Sequence, residues 1–352
     1  MITHTKLQNF TAFEEANLNF GPGLNIFIGE NGTGKSHILK IVYAILAVSF
    51  EEGKKPNAGA PTKSLLQPRL AEKMINVFRP ETLGRIVRRG QKQKSKPCGV
   101  MQTMENEDLN IAFAFKSNSK NEVTLAHTPE DWIKQNPIFF PTRELLTIYP
   151  GFFPVYEGHY LEFEETWRDT CLALGAPALR GKEKEMKKLL VPLEDVMGGT
   201  VVLDNNGRFY LKIQGQKPLE APMLAEGYRK IAMLAQLITN GTLFGHGYLF
   251  WDEPEANLNP KLIRLVAEAI FHICKSGIQV FVATHSLFFI RELSILSHEI
   301  QFRKIPQRYF AFERTREGVS VSQGDSVEHV DPLVMLDENL NQSDRFLAVE
   351  DE

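Results

Sequence analysis

Hydrophobic and polar positions alternate through "THTKLQNF" and "ANLNF", a period of two that predicts a pair of half-buried strands at the start of the chain. After the turn "GPG", the strongly apolar run "LNIFIG" predicts a buried strand ending at a glycine-rich loop, and "KSHILKIVYAILAVSF" predicts a helix covered on much of its surface. Further on, "LNIAFAF", "NEVTLAH" and "PIFFPTREL" are strand-like, "GKEKEMKKLLVPLEDVM" is helical, and "TVVLDNNGRFYLKI" predicts a hairpin turning at Asn206 and Gly207. In "EGYRKIAMLAQLI" the apolar residues Ile231, Leu234, Ala235 and Ile238 recur at helical spacing. "GYLFW" and "IQVFVAT" predict buried strands, and between them Asn259 and Pro260 form an N-cap and first-turn pair opening the helix "KLIRLVAEAIFHIC". "QRYFAFERTREGVSVSQG" predicts a terminal hairpin, and "DENLNQSDRFLAVEDE" a polar, acidic, mobile tail.

The texture changes at about residue 51, where "EEGKKPNAGAPTKS" is linker-like. The expected organisation is a nucleotide-binding core from residues 1–50 and 198–300, an inserted lobe of mixed strands and helices over 51–197, and a C-terminal hairpin with an acidic tail over 301–352. With 352 residues, 43% of them hydrophobic, the chain can bury a sizeable core, which excludes a disordered protein. A net charge of −3 gives no global attraction to nucleic acid or to an anionic membrane, so any such contact has to be local. The candidate is the basic run Arg85, Arg88, Arg89, Lys92, Lys94 and Lys96, which could track a phosphate backbone but has no interleaved aromatic residues for base stacking. Such runs are more often solvated loops. Cys98, Cys171 and Cys274 lack metal spacing and read as free thiols of a reducing compartment. With no signal-like N-terminus and no apolar window of about 18 residues, a cytoplasmic protein without membrane contact is expected. His4, His37, His127 and His159 lack metal-ligand spacing.

Two motifs carry chemistry. "GENGTGKS" fits the phosphate-loop pattern at Gly29, Gly34, Lys35 and Ser36, between a predicted strand and a predicted helix. Its glycines let backbone amides close around phosphates, Lys35 would reach the β and γ phosphates, and the Ser36 hydroxyl would bind Mg²⁺. The candidate ATP-binding set is Gly29, Asn31, Gly32, Thr33, Gly34, Lys35, Ser36 and His37. The second motif is the apolar strand of "YLFWDE", which ends in Asp252, suited to the Mg²⁺ shell, and Glu253, suited to polarise the attacking water as a general base. A large segment separates Lys35 from Asp252, whereas Glu226 precedes Asp252 by only one helix, a loop and a strand. That order suits an ABC-type ATPase, and "FVATHS" places His285 just after the next strand.

The combination of "NF" ending at Phe10, "GENGTGKS", "LAEGYRK", "WDEPEANLNP" and "ATHS" resembles the ABC-type ATPase heads of the SMC, RecF and OLD group, especially the compact AAA-family ATPases of bacterial anti-phage systems. The resemblance covers about residues 1–45 and 198–295. It implies an α/β P-loop NTPase of the ABC/SMC-head type, with a mixed central sheet and an inserted α+β lobe. By it, Glu226 and Gly227 are the signature pair that meets a second chain's nucleotide, Asn257 to Asn259 the D-loop, and His285 the switch histidine, a catalytic partner of Glu253 and Lys35. Ala225 and Glu226 depart from the transporter signature "LSGGQ", so a plain structural helix is the alternative. Arg229 or Lys230 could engage the partner's γ phosphate. Thr11 stands where the group often carries a basic residue, and Arg143 and Glu144 are either near the nucleotide or an ordinary surface pair. The OLD enzymes carry a TOPRIM nuclease, whose acidic constellation is not seen after His285, so no nuclease activity is expected of this chain alone.

The expected function is therefore an ATP-binding and hydrolysing switch that dimerises, or forms a higher oligomer of dimers, around Mg-ATP and controls a toxin or nuclease effector in anti-phage defence. A DNA-repair or DNA-structure sensor of the SMC/RecF kind is the alternative, and a transporter subunit fits worst because the signature is altered.

Overall fold

The computed structural model describes residues 1–89, 96–159, 162–181, 183–244, 247–316 and 318–350. The first elements are β1 (Ile2–Phe10), β2 (Phe13–Asn19), β3 (Leu24–Gly29), α1 (Lys35–Gly53), α2 (Lys63–Phe78), β4 (Cys98–Met104), β5 (Ile111–Phe115), β6 (Thr124–His127) and β7 (Pro137–Phe140). There follow α3 (Phe152–His159), α4 (Glu165–Leu174), α5 (Glu183–Met197), β8 (Thr200–Leu203), β9 (Phe209–Lys212), β10 (Leu219–Glu220) and α6 (Glu226–Thr239). The chain closes with β11 (Gly247–Asp252), α7 (Pro260–Lys275), β12 (Ile278–Thr284), α8 (Leu287–Ser297), β13 (Gln307–Thr315), β14 (Gly318–Gly324) and α9 (Val334–Glu350).

The central sheet has the order β14-β13-β3-β12-β11-β7. It is parallel from β13 to β7, and β14 returns antiparallel, which makes the sheet mixed. Period-two alternation explains why its inner strands are apolar throughout, since each face has a core of its own. Ile26 and Ile28 of β3, Val280 and Val282 of β12, and Leu249 and Trp251 of β11 pack into one core with α6 and α7. Their alternates Phe27, Phe281 and Phe250 pack into the other, with α1 and α2. There the Phe250 and Phe281 rings stack with centroids 4.8 Å apart. Each fully buried phenylalanine contributes up to about 3 kcal/mol of transfer free energy, so β3 is fixed in depth and register, and with it the loop that follows.

The second sheet, β2-β1-β4-β5-β6, is antiparallel. This corrects the expected division at residue 51. The segment 51–197 is not one inserted lobe: β4, β5 and β6 extend the sheet begun by β1 and β2, and β7 is an edge strand of the central sheet beside β11. The pairings of β1 with β4 and of β7 with β11 are long-range, and local periodicity carries no information about them. The hairpin β8-β9 forms as expected, with Gly207 in the left-handed region at φ 73. At the other end β13 is built into the central sheet next to β3, and much of the expected mobile tail is the helix α9. Among the described residues, no helix is long and apolar enough to cross a membrane.

Candidate nucleotide site

β3 and α1 hold the glycine-rich loop between them. Asn25, fully buried in β3, accepts from the Gly21 amide at 2.8 Å and donates to the carbonyls of Gly21 and Val280, which anchors the strand entering the loop. Thr33 Oγ1 donates to the Glu30 carbonyl at 2.8 Å, and Lys35 Nζ donates to the Gly29 and Glu30 carbonyls at 2.6 and 2.8 Å. The lysine thus closes the loop on itself. Its burial pulls its pKa below the ordinary lysine value, against the attraction of Asp252, Glu253, Glu255 and Glu30. Gly34 caps α1 at φ 90, and a Cβ there would lie 2.7 Å from the Phe13 ring, so glycine is required on both conformational and steric grounds. Asn31 and Gly32 are exposed at the loop apex.

The acidic half comes from the C-terminal ends of β11 and β12. Burial raises the Asp252 pKa above the ordinary range, with the neighbouring Ser36 hydroxyl acting in the opposite sense. Glu253 follows at φ 49, a left-handed conformation uncommon for a non-glycine residue and concentrated at functional sites. Its amide continues the ladder to the Ala283 carbonyl at 2.9 Å, and its Oε1 lies 3.0 Å from His285 Nδ1. This contact holds the Glu253 carboxyl below its ordinary pKa and raises that of His285. The loop with Lys35 and Ser36, Asp252, Glu253 and His285 therefore converge on one end of the parallel strands. The Ser36 hydroxyl and Asp252 carboxylate fit a hard divalent cation, and the glycine-rich loop opening α1 fits a polyphosphate.

Helix α6 is tied to this centre from behind. Lys230 is 2% exposed and donates to the Glu253 carbonyl at 2.7 Å and the Ala256 carbonyl at 3.3 Å. Burial pulls its pKa down to about 8 even though Glu255, Glu253, Asp252 and Glu226 favour the charge. Arg229 Nη1 donates to the Leu224 carbonyl at 2.7 Å, and its Nε lies 2.8 Å from Glu144 Oε1. Both basic residues expected to reach across to a partner are thus engaged within their own chain. Glu144 is a buried support of α6, while Arg143 is exposed. Glu226 accepts from Asn257 Nδ2 at 2.9 Å, and a Cβ on Gly227 would lie 3.1 Å from the Asn257 carbonyl, so this pair packs directly on the turn that precedes α7. Asn259 accepts from the Leu262 amide at 3.0 Å and caps α7 as its sequence predicts.

Other expected residues are placed differently. The His37 ring packs 5.7 Å from Phe78, and burial pulls its pKa down to about 4, so any nucleotide contact at that position is left to its backbone amide. Arg85 pairs with Glu81 and Arg88 with Glu14, so these two arginines are part of local ion pairs; Lys92 and Lys94 lie outside the described residues. Cys98, Cys171 and Cys274 are free and buried.

Glu255 was not singled out from the sequence, although it lies two residues after Glu253. It is buried at 7% exposure, its Oε1 accepts from Thr284 Oγ1 at 2.5 Å, and Thr284 Oγ1 accepts from the Ser286 amide at 3.0 Å. This chain of bonds fixes the backbone on both sides of His285.

A cleft of about 1090 Å³ lies at the far end of α1 from the phosphate loop, lined by Tyr43, Glu51, Arg69, Glu165 and Asp169 among others. Beside it the Lys73 ammonium sits among Glu51, Glu165 and Asp169 at 2.7, 2.9 and 2.7 Å, and Tyr43 donates to Asp169 at 2.7 Å. The lysine supplies the counter-charge these acids need, so the cluster is a buried ion network linking α1, α2 and α4. Another contact, Lys40 with Glu164, ties α1 to the start of α4.

The fold is that of a P-loop NTPase of the SMC-head type. The chain matches the family model described as AAA domain, putative AbiEii toxin, Type IV TA system, over residues 100–291, more than half its length, and it belongs to that family. A second model, AAA ATPase domain, matches residues 1–170. Among solved structures, the chain is similar to the SmcHead bound to the C-winged helix domain of ScpA, with a TM-score of 0.58 and 14% identity over 93% of this chain and 98% of that one. It is also similar to the Smc head domain with an extended coiled coil bound to the C-terminal domain of ScpA derived from Pyrococcus furiosus, with a TM-score of 0.53 and 13% identity over 100% and 99% of the two chains. These likenesses establish the fold. Curated relatives match short segments only. The DNA replication and repair protein RecF of Lactococcus lactis is 47% identical over 38 residues, 11% of each chain. That of Lactobacillus johnsonii is 43% identical over 42 residues, 12% of this chain and 11% of the relative. The match thus spans about a tenth of the length of these relatives.

Proposed function

We propose that this protein binds and hydrolyses Mg-ATP and uses the cycle as a conformational switch between two copies of the chain. The observation carrying the reading is the convergence of Lys35, Ser36, Asp252 and the Glu253–His285 pair at one end of the parallel strands. Loop amides and Lys35 would hold the phosphates. Ser36 and Asp252 would hold Mg²⁺, which when bound supplies charge neutralisation on the phosphate oxygens. Glu253 is ionised and can take a proton from water. Its bond to His285 occupies that carboxylate, so the histidine has to release it, or turn with it toward the phosphate, before hydrolysis.

The N-terminus of α6 carries exposed Met223, Glu226 and Tyr228, a surface suited to a second copy's nucleotide. Because Glu226 and Lys230 connect this surface to the catalytic loop, closure of the dimer and loop geometry would be coupled. The output we favour is control of a toxin or nuclease effector in bacterial anti-phage defence, a reading supported by the toxin–antitoxin description of the family. The short RecF matches favour a second reading, an ATPase responding to DNA structure.

The test is nucleotide binding and turnover by two variants. Lys35→Ala should lose tight ATP binding, whereas Glu253→Gln should bind ATP and hydrolyse it at least about a hundredfold more slowly. Full turnover by Glu253→Gln would remove the general-base assignment. DNA-stimulated turnover would favour the second reading over the first.

A further inference from the structure

The phosphate loop has a neighbour outside its own motif. β13 runs parallel to β3 with Phe312 opposite Gly29, so Arg314, near the end of β13, arrives at the loop that Gly29 begins. Its Nη2 donates to the Gly32 carbonyl at 3.2 Å. A Cβ placed on Gly32 would fall 2.3 Å from that nitrogen and 3.3 Å from Cζ, so the guanidinium lies directly against the loop apex. Unlike Lys35, Arg314 is exposed.

Strand order says which part of a nucleotide it would meet. β12 and β11, whose ends carry His285, Asp252 and Glu253, lie on one side of β3, and β13 lies on the other. The groups suited to the terminal phosphate and to the attacking water are therefore across the loop from Arg314. A backbone carbonyl is a neutral acceptor, whereas a phosphate oxygen is charged and adds ionic attraction and a bidentate geometry to its bond with guanidinium. An exposed guanidinium already aimed at the loop can exchange the first acceptor for the second by rotation alone.

We infer that Arg314 is a nucleotide-contact residue, holding the part of the polyphosphate that ATP and ADP share. This rests on the reading of the site as a nucleotide site. It distinguishes Arg314 from groups aimed at the terminal phosphate: its loss weakens binding of ATP and ADP alike.

The experiment is calorimetric titration of the full chain with ATP and with ADP in Mg²⁺, at low and high salt, for the native protein, Arg314→Ala, Arg314→Gln and Lys35→Ala. Arg314→Gln keeps a polar amide donor at this position while removing the charge and shortening the side chain by two bonds. Both Arg314 variants should bind ATP and ADP about tenfold or more weakly, with the deficit shrinking as salt rises. Native-like binding by Arg314→Gln would assign the residue to bracing the loop and overturn the inference. A loss confined to ATP would place the contact at the terminal phosphate and overturn it too. If the native chain binds and Lys35→Ala does not, but both Arg314 variants bind normally, this inference alone fails; if the native chain binds neither nucleotide, the reading beneath it fails.

Discussion

Replacing Lys230 by methionine separates stability from function at the loop that carries Glu253. The side chain is 2% exposed, and its ammonium bridges the carbonyls of Glu253 and Ala256. Burial pulls its pKa down to about 8, compared with an ordinary value of about 10.4. At about 1.4 kcal/mol per tenfold, burial opposes the charge by roughly 3 kcal/mol. The two charge-assisted bonds are worth about 1.5–3 kcal/mol each, and methionine removes both them and the desolvation term while keeping a similar volume. These contributions nearly cancel, so thermal unfolding of Lys230→Met should shift by only a few degrees at pH 7. Turnover should fall at least about tenfold, because the left-handed backbone at Glu253 loses the donor that braces it. The pH dependence has a definite sign. Between about pH 8 and 10.4 the unfolded chain binds the proton that the fold releases, so the native protein gains stability as pH rises through that window, and Lys230→Met lacks the gain. Calorimetric melting at pH 7 and 9.5 beside a phosphate-release assay checks both. A collapse in stability with intact turnover would refute the reasoning.

Two further outcomes follow from the charged contacts. Lys73→Met leaves Glu51, Glu165 and Asp169 without their shared cation, which should cost about 3–5 kcal/mol in urea unfolding, partly recovered by adding Asp169→Asn. The Glu253–His285 contact raises the His285 pKa and lowers that of Glu253, so its contribution is complete between about pH 4.3 and 6.5. It is lost above that window as His285 deprotonates and below it as Glu253 takes up a proton. The melting difference between the native protein and His285→Gln should therefore be largest near pH 5.5 and shrink by pH 8.

The central unit was legible in the sequence because its determinants are local. "GENGTGKS" carries loop, cation and hydroxyl in one stretch, Asp252 and Glu253 end an apolar run, and Asn259 with Pro260 announces α7. What remained hidden depends on distant pairing. Nothing near residue 98 says that β4 will lie against β1, nor does the terminal hairpin reveal that β13 will lie against β3 and bring Arg314 to Gly32. Glu255 reads as an ordinary charged position and Lys230 as a group reaching toward a partner's phosphate, since the hydroxyl and the carbonyls that satisfy them come from other elements. The one available signal was context: Lys230 directly precedes the apolar Ile231 in a helix with a wide buried face.

The most direct test of the switch is native mass spectrometry of Glu253→Gln with and without Mg-ATP. The account predicts a monomer without nucleotide and a dimer holding two ATP molecules with it, the dimer lost when Glu226 or Gly227 is replaced by a bulky residue. ATP bound to a monomer that never dimerises would contradict it.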